Sequence, residues 1–153
     1  YYNHLPMNTY CCRIAYGSEQ YRQTIQLRDE ILRKPLHLHF TEEQLAAENE
    51  QVHLACFDAE SEKLLACLVL VPETNRKIKM RQVAVAANLQ RQGIGQKLVA
   101  FAENWAVQAG FSIIHCHARD TAVPFYLKLG YHIEGNPFTE VTILHYYMEK
   151  QLT

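Results

Sequence analysis

Apolar and polar positions along the chain change period several times, and each change marks an element. Tyr10 to Tyr16 reads as a first strand. Gly17 and Ser18 then open a helix with Ser18 as its N-cap, because Tyr21, Ile25, Arg28 and Leu32 recur at helical spacing. Pro35 predicts its end, since proline cannot continue the ladder. A second, short helix is predicted from Thr41, where Thr41 and Gln44 have capping-box spacing and Glu42 and Glu43 suit the positive helix end.

Three strand-like runs follow: Val52 to Phe57, Leu64 to Val71 and Lys77 to Ala86. Their short polar connections, Asp58 to Lys63 and Pro72 to Arg76, predict an antiparallel meander. Parity slips in the third run: Ile78 and Met80 are even, Val83 and Val85 odd. A β-bulge near Arg81 and Gln82 produces such a slip, and so does a strand end buried on both faces.

A long helix is predicted from Gly93, with Ile94, Leu98, Phe101, Ala102, Trp105 and Ala109 on one apolar face and Gly110 at its end. Phe111 to Ala118 reads as a strand and Ala122 to Leu129 as a helix closed by Gly130. Tyr131 to Glu134 and Ile143 to Met148 read as the last strands, separated by a loop containing Gly135, Asn136 and Pro137. The order β-α-α-β-β-β-α-β-α-β-β predicts a mixed α/β fold with helices on a largely antiparallel sheet.

Composition narrows the function. The 153 residues are 48% hydrophobic, enough for one domain with a proper core. We expect a domain over 10–153, preceded by an N-terminal extension or cloning remnant over 1–9 in which Met7 is either internal or the true start. Fifteen basic and sixteen acidic side chains nearly cancel, which speaks against a nucleic-acid platform. The five cysteines are odd in number and hold no C-x-x-C, so neither a disulfide framework nor a metal site is expected, and a reducing cytoplasm fits. No apolar run approaches the roughly 20 residues that span a bilayer, and Tyr1 to Pro6 lacks the pattern of a signal peptide.

The most informative segment is Gln90-Arg91-Gln92-Gly93-Ile94-Gly95, between a strand and the long helix. Glycines there let the backbone approach a ligand, and the first helical amides lack internal partners. Together with the helix dipole they form an anion site, to which Arg91 and Lys97 can add charge. The dinucleotide fingerprint is excluded because Leu98 stands where its third glycine belongs, and G-x-x-x-x-G-K-[ST] is absent.

This segment, following Val83-Ala84-Val85, resembles the Q/R-x-x-G-x-G/A acetyl-CoA motif of the GNAT superfamily of N-acetyltransferases. Ala118 to Tyr126, ending in Leu129-Gly130-Tyr131, resembles that family's A-x-x-x-A-x-x-F-Y-x-x-x-G-F/Y. Asp120 departs from the neutral residue usual there. The likeness runs over nearly the whole chain from Tyr10. It implies a sheet split beside the bulged strand, with acetyl-CoA as cosubstrate and no metal. It also implies backbone contacts of Val83, Ala84 and Val85 to the pantetheine arm, amides of Gln90, Arg91, Gln92, Gly93, Ile94, Gly95 and Gln96 on the pyrophosphate, and Phe125 and Tyr126 beside the coenzyme.

Tyr126 matches the tyrosine that protonates the departing thiolate in such enzymes. A phenol of pKa ~10 can donate to a thiolate of pKa roughly 8.5 or higher. An alkyl amine of pKa about 10 is deprotonated to the order of one part in a thousand at pH 7, so a base helps. Glu140 and His145, in the terminal region that borders the acceptor in the family, are the candidates, and His115 and His117 share one face of the preceding strand. Cys116 reads as a buried strand residue without an activating partner. The implied acceptor is the primary amine of a small molecule. A protein or peptide amine and a catalytically idle acyl-CoA sensor are the alternatives. Neither nucleic acid nor membrane is an expected partner, and a homodimer is left open.

Overall fold

The computed structural model describes residues 8–153, so the expectations for Met7 and the residues before it lie outside the described residues. Hydrogen-bonded strands follow the order β1-β2-β3-β4-β5-β8-β6, with β7 on β8. The chain divides into two compact units, one of residues up to Val69 with Gln82–Val99, the other of Leu70–Arg81 with Ala100–Thr153.

In the first unit β1 (Thr9–Ile14) runs antiparallel to β2 (Val52–Asp58), from Thr9↔Asp58 to Ile14↔His53. The first part of β3 (Leu64–Pro72) and the last part of β4 (Lys77–Val85) continue this sheet. Helix α1 (Glu19–Arg28) covers it, capped by the Ser18 Oγ accepting from Tyr21 N at 3.1 Å. Tyr21 and Leu27 of α1 pack with Ile14, Ala55, Phe57, Cys67 and Ala84. The single helix predicted up to Pro35 is instead α1, a π-helical turn Asp29–Arg33 and a 3₁₀ turn Lys34–Leu36. Helix α2 (Glu42–Ala46) carries both bonds of the expected capping box, Gln44 N to Thr41 Oγ1 at 3.1 Å and Thr41 N to the Gln44 side chain at 3.0 Å.

The backbone of β4 is irregular where the slip of parity is predicted. Gln82 has φ 56, a left-handed conformation inside a strand. Beyond it Ala84, rather than Val83 or Val85, is buried, and it joins the cluster beneath α1.

In the second unit the first part of β4 pairs in parallel with β5 (Ile113–Arg119) through Lys77↔Ile113, Ile78↔Ile114 and Lys79↔His115. That ladder ends three residues before Gln82. β8 (Ile143–Gln151) runs antiparallel to β5 from Arg119↔His145 to Ile113↔Gln151, and also pairs with β6 (His132–Ile133). The loop predicted before β8 holds a further strand, β7 (Phe138–Glu140), which the sequence left unassigned. Its two-residue turn, Val141 (φ 52) and Thr142 (φ 62), has the left-handed pair that twists a hairpin correctly without using glycine.

Helix α3 (Ile94–Gln108) passes from the first unit into the second and ends at Gly110, whose φ of 97 permits the Phe111 N to Ala106 O bond of 2.9 Å. Helix α4 (Val123–Lys128) begins one residue later than predicted, after a 3₁₀ turn Asp120–Ala122. Alternation along β5 and β8 buries Ile114, Cys116, Ala118 and Met148 on one face. The other face presents His115, His117, His145, Tyr147 and Glu149, joined as the cross-strand pairs His115↔Glu149 and His117↔Tyr147 with His145 next along β8.

Candidate active site

The first unit carries the turn from Gln90 to Gly95. Beyond β4, Ala87–Leu89 makes one 3₁₀ turn. Gln90 Nε2 donates to the Val85 carbonyl at 3.2 Å and Gln92 Nε2 to the Asn88 carbonyl at 3.3 Å, bracing the loop from both sides. Arg91 (φ 68) and Gly93 (φ 82) then turn the backbone through left-handed conformations. A Cβ on Gly93 would meet nothing within 4 Å, so glycine is needed there for its dihedral freedom and not for space.

The amides of Ile94, Gly95 and Gln96 open α3, and the first intrahelical bond is Lys97 N to Gly93 O at 3.0 Å. No acidic side chain occupies this first turn, so the positive end of a 15-residue helix is not neutralised from within. Arg91, Gln92, Gly93 and Gln96 are exposed, while Ile94 and Gly95 are buried. Lys97 does not add its charge at the turn as expected: its Nζ donates to the Thr9 carbonyl at 2.7 Å and to Thr9 Oγ1 at 2.6 Å.

The second unit carries Tyr126. Its ring is buried, edge-on to Phe125 at 5.0 Å and to Tyr131 at 5.4 Å. Burial pushes its phenol well above the ordinary tyrosine value, and the nearby Cys116 adds to the rise, so the hydroxyl keeps its proton at neutral pH. Asp120, the departure from the family pattern, accepts from Thr121 N at 2.9 Å and holds the turn that leads into α4.

The histidine face of β5 and β8 holds the remaining candidates. Glu140 Oε2 lies 2.9 Å from His117 Nδ1, whose N–H donates to the carboxylate. The His117 ring meets Phe138 edge-on at 5.0 Å, and Phe138 stacks on His145 at 6.0 Å. His145 is buried with Nδ1 2.8 Å from the Ile143 carbonyl, so Glu140 is joined to His117 and not to His145. His115 is 2.6 Å from Glu73 through Nε2, stacks on Tyr147, and leaves a buried Nδ1 without a partner. Tyr147 accepts from Lys77 Nζ at 3.1 Å and donates to Glu149 at 3.0 Å.

His115 and His117 share one face of β5, as the strand spacing predicts, and His117 is the one that meets the candidate Glu140. The H-x-H spacing of a strand facing the terminal Glu140 was the available signal. Three groups that could together hold a metal, His132, Glu134 and Glu149, lie within 4.8 Å of one another, with His132 and Glu134 exposed. A cleft of about 510 Å³ lies elsewhere in the first unit, among Tyr10, Cys12, Arg13, Ser18, Gln23 and Glu62, and none of the sequence-predicted site residues lines it. No helix among the described residues is long and apolar enough to cross a membrane.

The model of the acetyltransferase (GNAT) domain family matches residues 17–152. An uncharacterized N-acetyltransferase of Bacillus subtilis (strain 168), YjcF, is 27% identical over 138 residues, covering 90% of this chain and 96% of that protein. An aminoglycoside 6'-N-acetyltransferase complexed with coenzyme A superposes with a TM-score of 0.77 at 16% identity, over 94% of this chain and 97% of that one. The ribosomal-protein-S18-alanine N-acetyltransferase from Escherichia coli superposes with a TM-score of 0.75 at 13% identity, over 95% of each chain.

Proposed function

The chain belongs to the GNAT acetyltransferase family, and on that premise we propose that it moves the acetyl group of acetyl-CoA to the primary amine of a small molecule. The observation that carries the reading is the exposed N-terminus of α3, free of acidic side chains and preceded by the left-handed Arg91 and Gly93. Such a terminus fits a pyrophosphate. Amides from Arg91 to Gln96 hold that group, and Val83 to Val85 guide the pantetheine arm. A backbone N–H at the irregular part of β4 polarises the acyl carbonyl. Acetyl-CoA supplies the activated carbonyl and a thiolate leaving group.

The acceptor reaches the enzyme as an ammonium ion and must lose a proton before attack. Carboxylates of Glu73, Glu140 and Glu149, beside Phe138 and Tyr147, suit a small cation. We assign the proton to His117, with Glu140 as the positioning residue that fixes its tautomer through Nδ1. His145, turned to the Ile143 carbonyl, supports the Phe138 ring. Tyr126 donates to the departing sulfur.

A thiol-release assay with acetyl-CoA across amines, amino sugars, polyamines and peptides tests this reading. Turnover with small amines supports it. Turnover confined to peptides selects a protein acetyltransferase, and coenzyme binding without turnover selects an idle sensor. With the best acceptor, His117→Gln should lower kcat by about 10²–10⁴-fold near neutral pH. The loss should shrink as pH approaches the amine's own pKa of ~10. Glu140→Gln should produce a smaller loss with the same pH trend, and coenzyme affinity should be unchanged in both. A pH-independent loss, or equal damage to coenzyme affinity, would assign these residues a structural role.

A further inference from the structure

Cys11 of β1 stands directly opposite Cys56 of β2. In the same register Asn8 is opposite Ala59, and Ala59 N donates to Asn8 O at 2.9 Å, which marks a hydrogen-bonded pair. Such pairs alternate along an antiparallel ladder, so Cys11 and Cys56, three steps on, form a non-hydrogen-bonded pair. Cα atoms there lie about 4.5 Å apart with side chains leaning together. That separation lies inside the range of about 4.4–6.8 Å that a disulfide spans.

The surroundings favour reaction at this pair over the other cysteines. The Cys11 and Cys56 thiols interact across the ladder, and Thr9 also acts on Cys56. Thr9 in turn anchors the Lys97 ammonium, whose charge acts on both sulfurs. The interaction with Cys11, with help from Thr9 and Lys97, lowers the Cys56 thiol below its ordinary value despite its burial, and the same interaction raises Cys11. Cys56 therefore gives up its proton more readily than an isolated buried thiol would. Cys56 is fully buried but Cys11 is half-buried, which gives a small oxidant a route from one side. Cys67 and Cys116 are buried, and burial pushes each thiol up to about 12. Cys12 faces Ala55 across the ladder and therefore points to the opposite side of the sheet from Cys11.

We propose that Cys11 and Cys56 are a reversible redox site that closes to a cross-strand disulfide in response to hydroperoxides. One sulfur of the pair attacks, as its thiolate, one oxygen of the peroxide, breaking the O–O bond and releasing water or an alcohol as the other oxygen takes up a proton. The sulfenic acid formed is attacked by the second sulfur, which gives up its proton as the S–S bond forms and a water leaves. Two thiols lose two electrons in all, and the peroxide gains them. A dithiol reductant reverses the bond by exchange.

The test is peptide mapping and intact mass of the native protein titrated with hydrogen peroxide. The expected result is a loss of roughly two hydrogens in mass and a single Cys11–Cys56 cross-linked peptide. The five free thiols should fall to three, and dithiothreitol should restore them. Oxidation should also raise the thermal midpoint, since it ties the edge strand β1 to β2. Cys12→Ser should keep the cross-link. Cys56→Ser should leave a Cys11 sulfenic acid that a dimedone probe traps. Oxygen adducts without a cross-link, a bond involving Cys12, or no reaction at peroxide levels that oxidise Cys12 would overturn the proposal. Wild-type mapping decides the matter even if the Cys56 variant fails to fold, and no readout depends on acetyl transfer.

Discussion

Tyr126→Phe is expected to lower kcat by about 10²–10⁴-fold, with little change in acetyl-CoA affinity. The substitution removes one hydroxyl and keeps the ring against Phe125 and Tyr131, so packing survives. Burial holds this phenol above its ordinary value. That guarantees a proton to donate, but it makes full transfer to an ordinary thiolate uphill. Two effects offset the difference. A coenzyme sulfur that entered the same apolar surroundings would have its own pKa raised. A hydrogen bond also gains strength as negative charge grows on sulfur, so it acts in the transition state and not in the ground state. The loss should therefore shrink with an acyl donor whose leaving thiol is more acidic. An unchanged kcat in the Phe variant, with chemistry shown to limit the rate, would remove Tyr126 from the mechanism.

Glu48→Gln or Arg28→Met should destabilise the fold by about 3–5 kcal/mol, because each leaves an uncompensated charge in the core. Arg28 and Glu48 are joined by two hydrogen bonds of 2.8 and 2.9 Å, with side chains 1% and 2% exposed. Tyr21 donates to the same carboxylate at 2.8 Å, and the His53 ring is 3.0 Å from the Glu48 carbonyl. The pair joins the end of α1 to the 3₁₀ turn Ala47–Glu50 before β2. Replacing both partners with apolar residues, Arg28→Met with Glu48→Leu, should recover much of the loss, and a urea-denaturation cycle measures the coupling. Burial alone would raise the Glu48 carboxyl, but the hydrogen bonds and charge of Arg28, aided by Tyr21, outweigh it and hold the carboxyl below its ordinary value. The stability this contributes is present above the ordinary carboxylate range and is lost as pH falls through the depressed folded value. Glu48→Gln should lack that acid-side component. If its stability fell with acid as steeply as wild type, Glu48 would not be its source.

Elements defined by local chemistry were legible in the sequence. Ser18 and Thr41 cap their helices because the side chain and the amide it accepts lie three residues apart. Gly110 and Gly130 end helices because each takes a left-handed dihedral. The irregularity of β4 left a trace in the parity of its apolar positions, and the left-handed dihedral falls at Gln82, where that trace lies. Features fixed by distant partners were not legible. The helix predicted to reach Pro35 changes to a π turn directly after Arg28, whose partner Glu48 lies twenty residues on. β7 is three residues long and turns through Val141 and Thr142, residues that carry no hairpin signal. In the candidate site, the turn that opens α3 could be read because it is built from consecutive residues, with Gly93 in a left-handed conformation. The His117–Glu140 contact could not, because it depends on how β7 folds back along β8.

The central claim is that the turn from Gln90 to Gly95 holds acetyl-CoA at the N-terminus of α3. The most direct measurement is the thermal midpoint of wild type and Gly93→Val with and without acetyl-CoA. Ligand at a hundredfold excess over its Kd should stabilise wild type by about 2.7 kcal/mol. Gly93 sits at φ 82, where a β-branched residue is strained although its Cβ has room, so the variant should fold but shift the amides out of place. Its acetyl-CoA response should fall close to zero. A wild-type midpoint unmoved by millimolar acetyl-CoA, or a variant that responds as fully as wild type, would contradict the account.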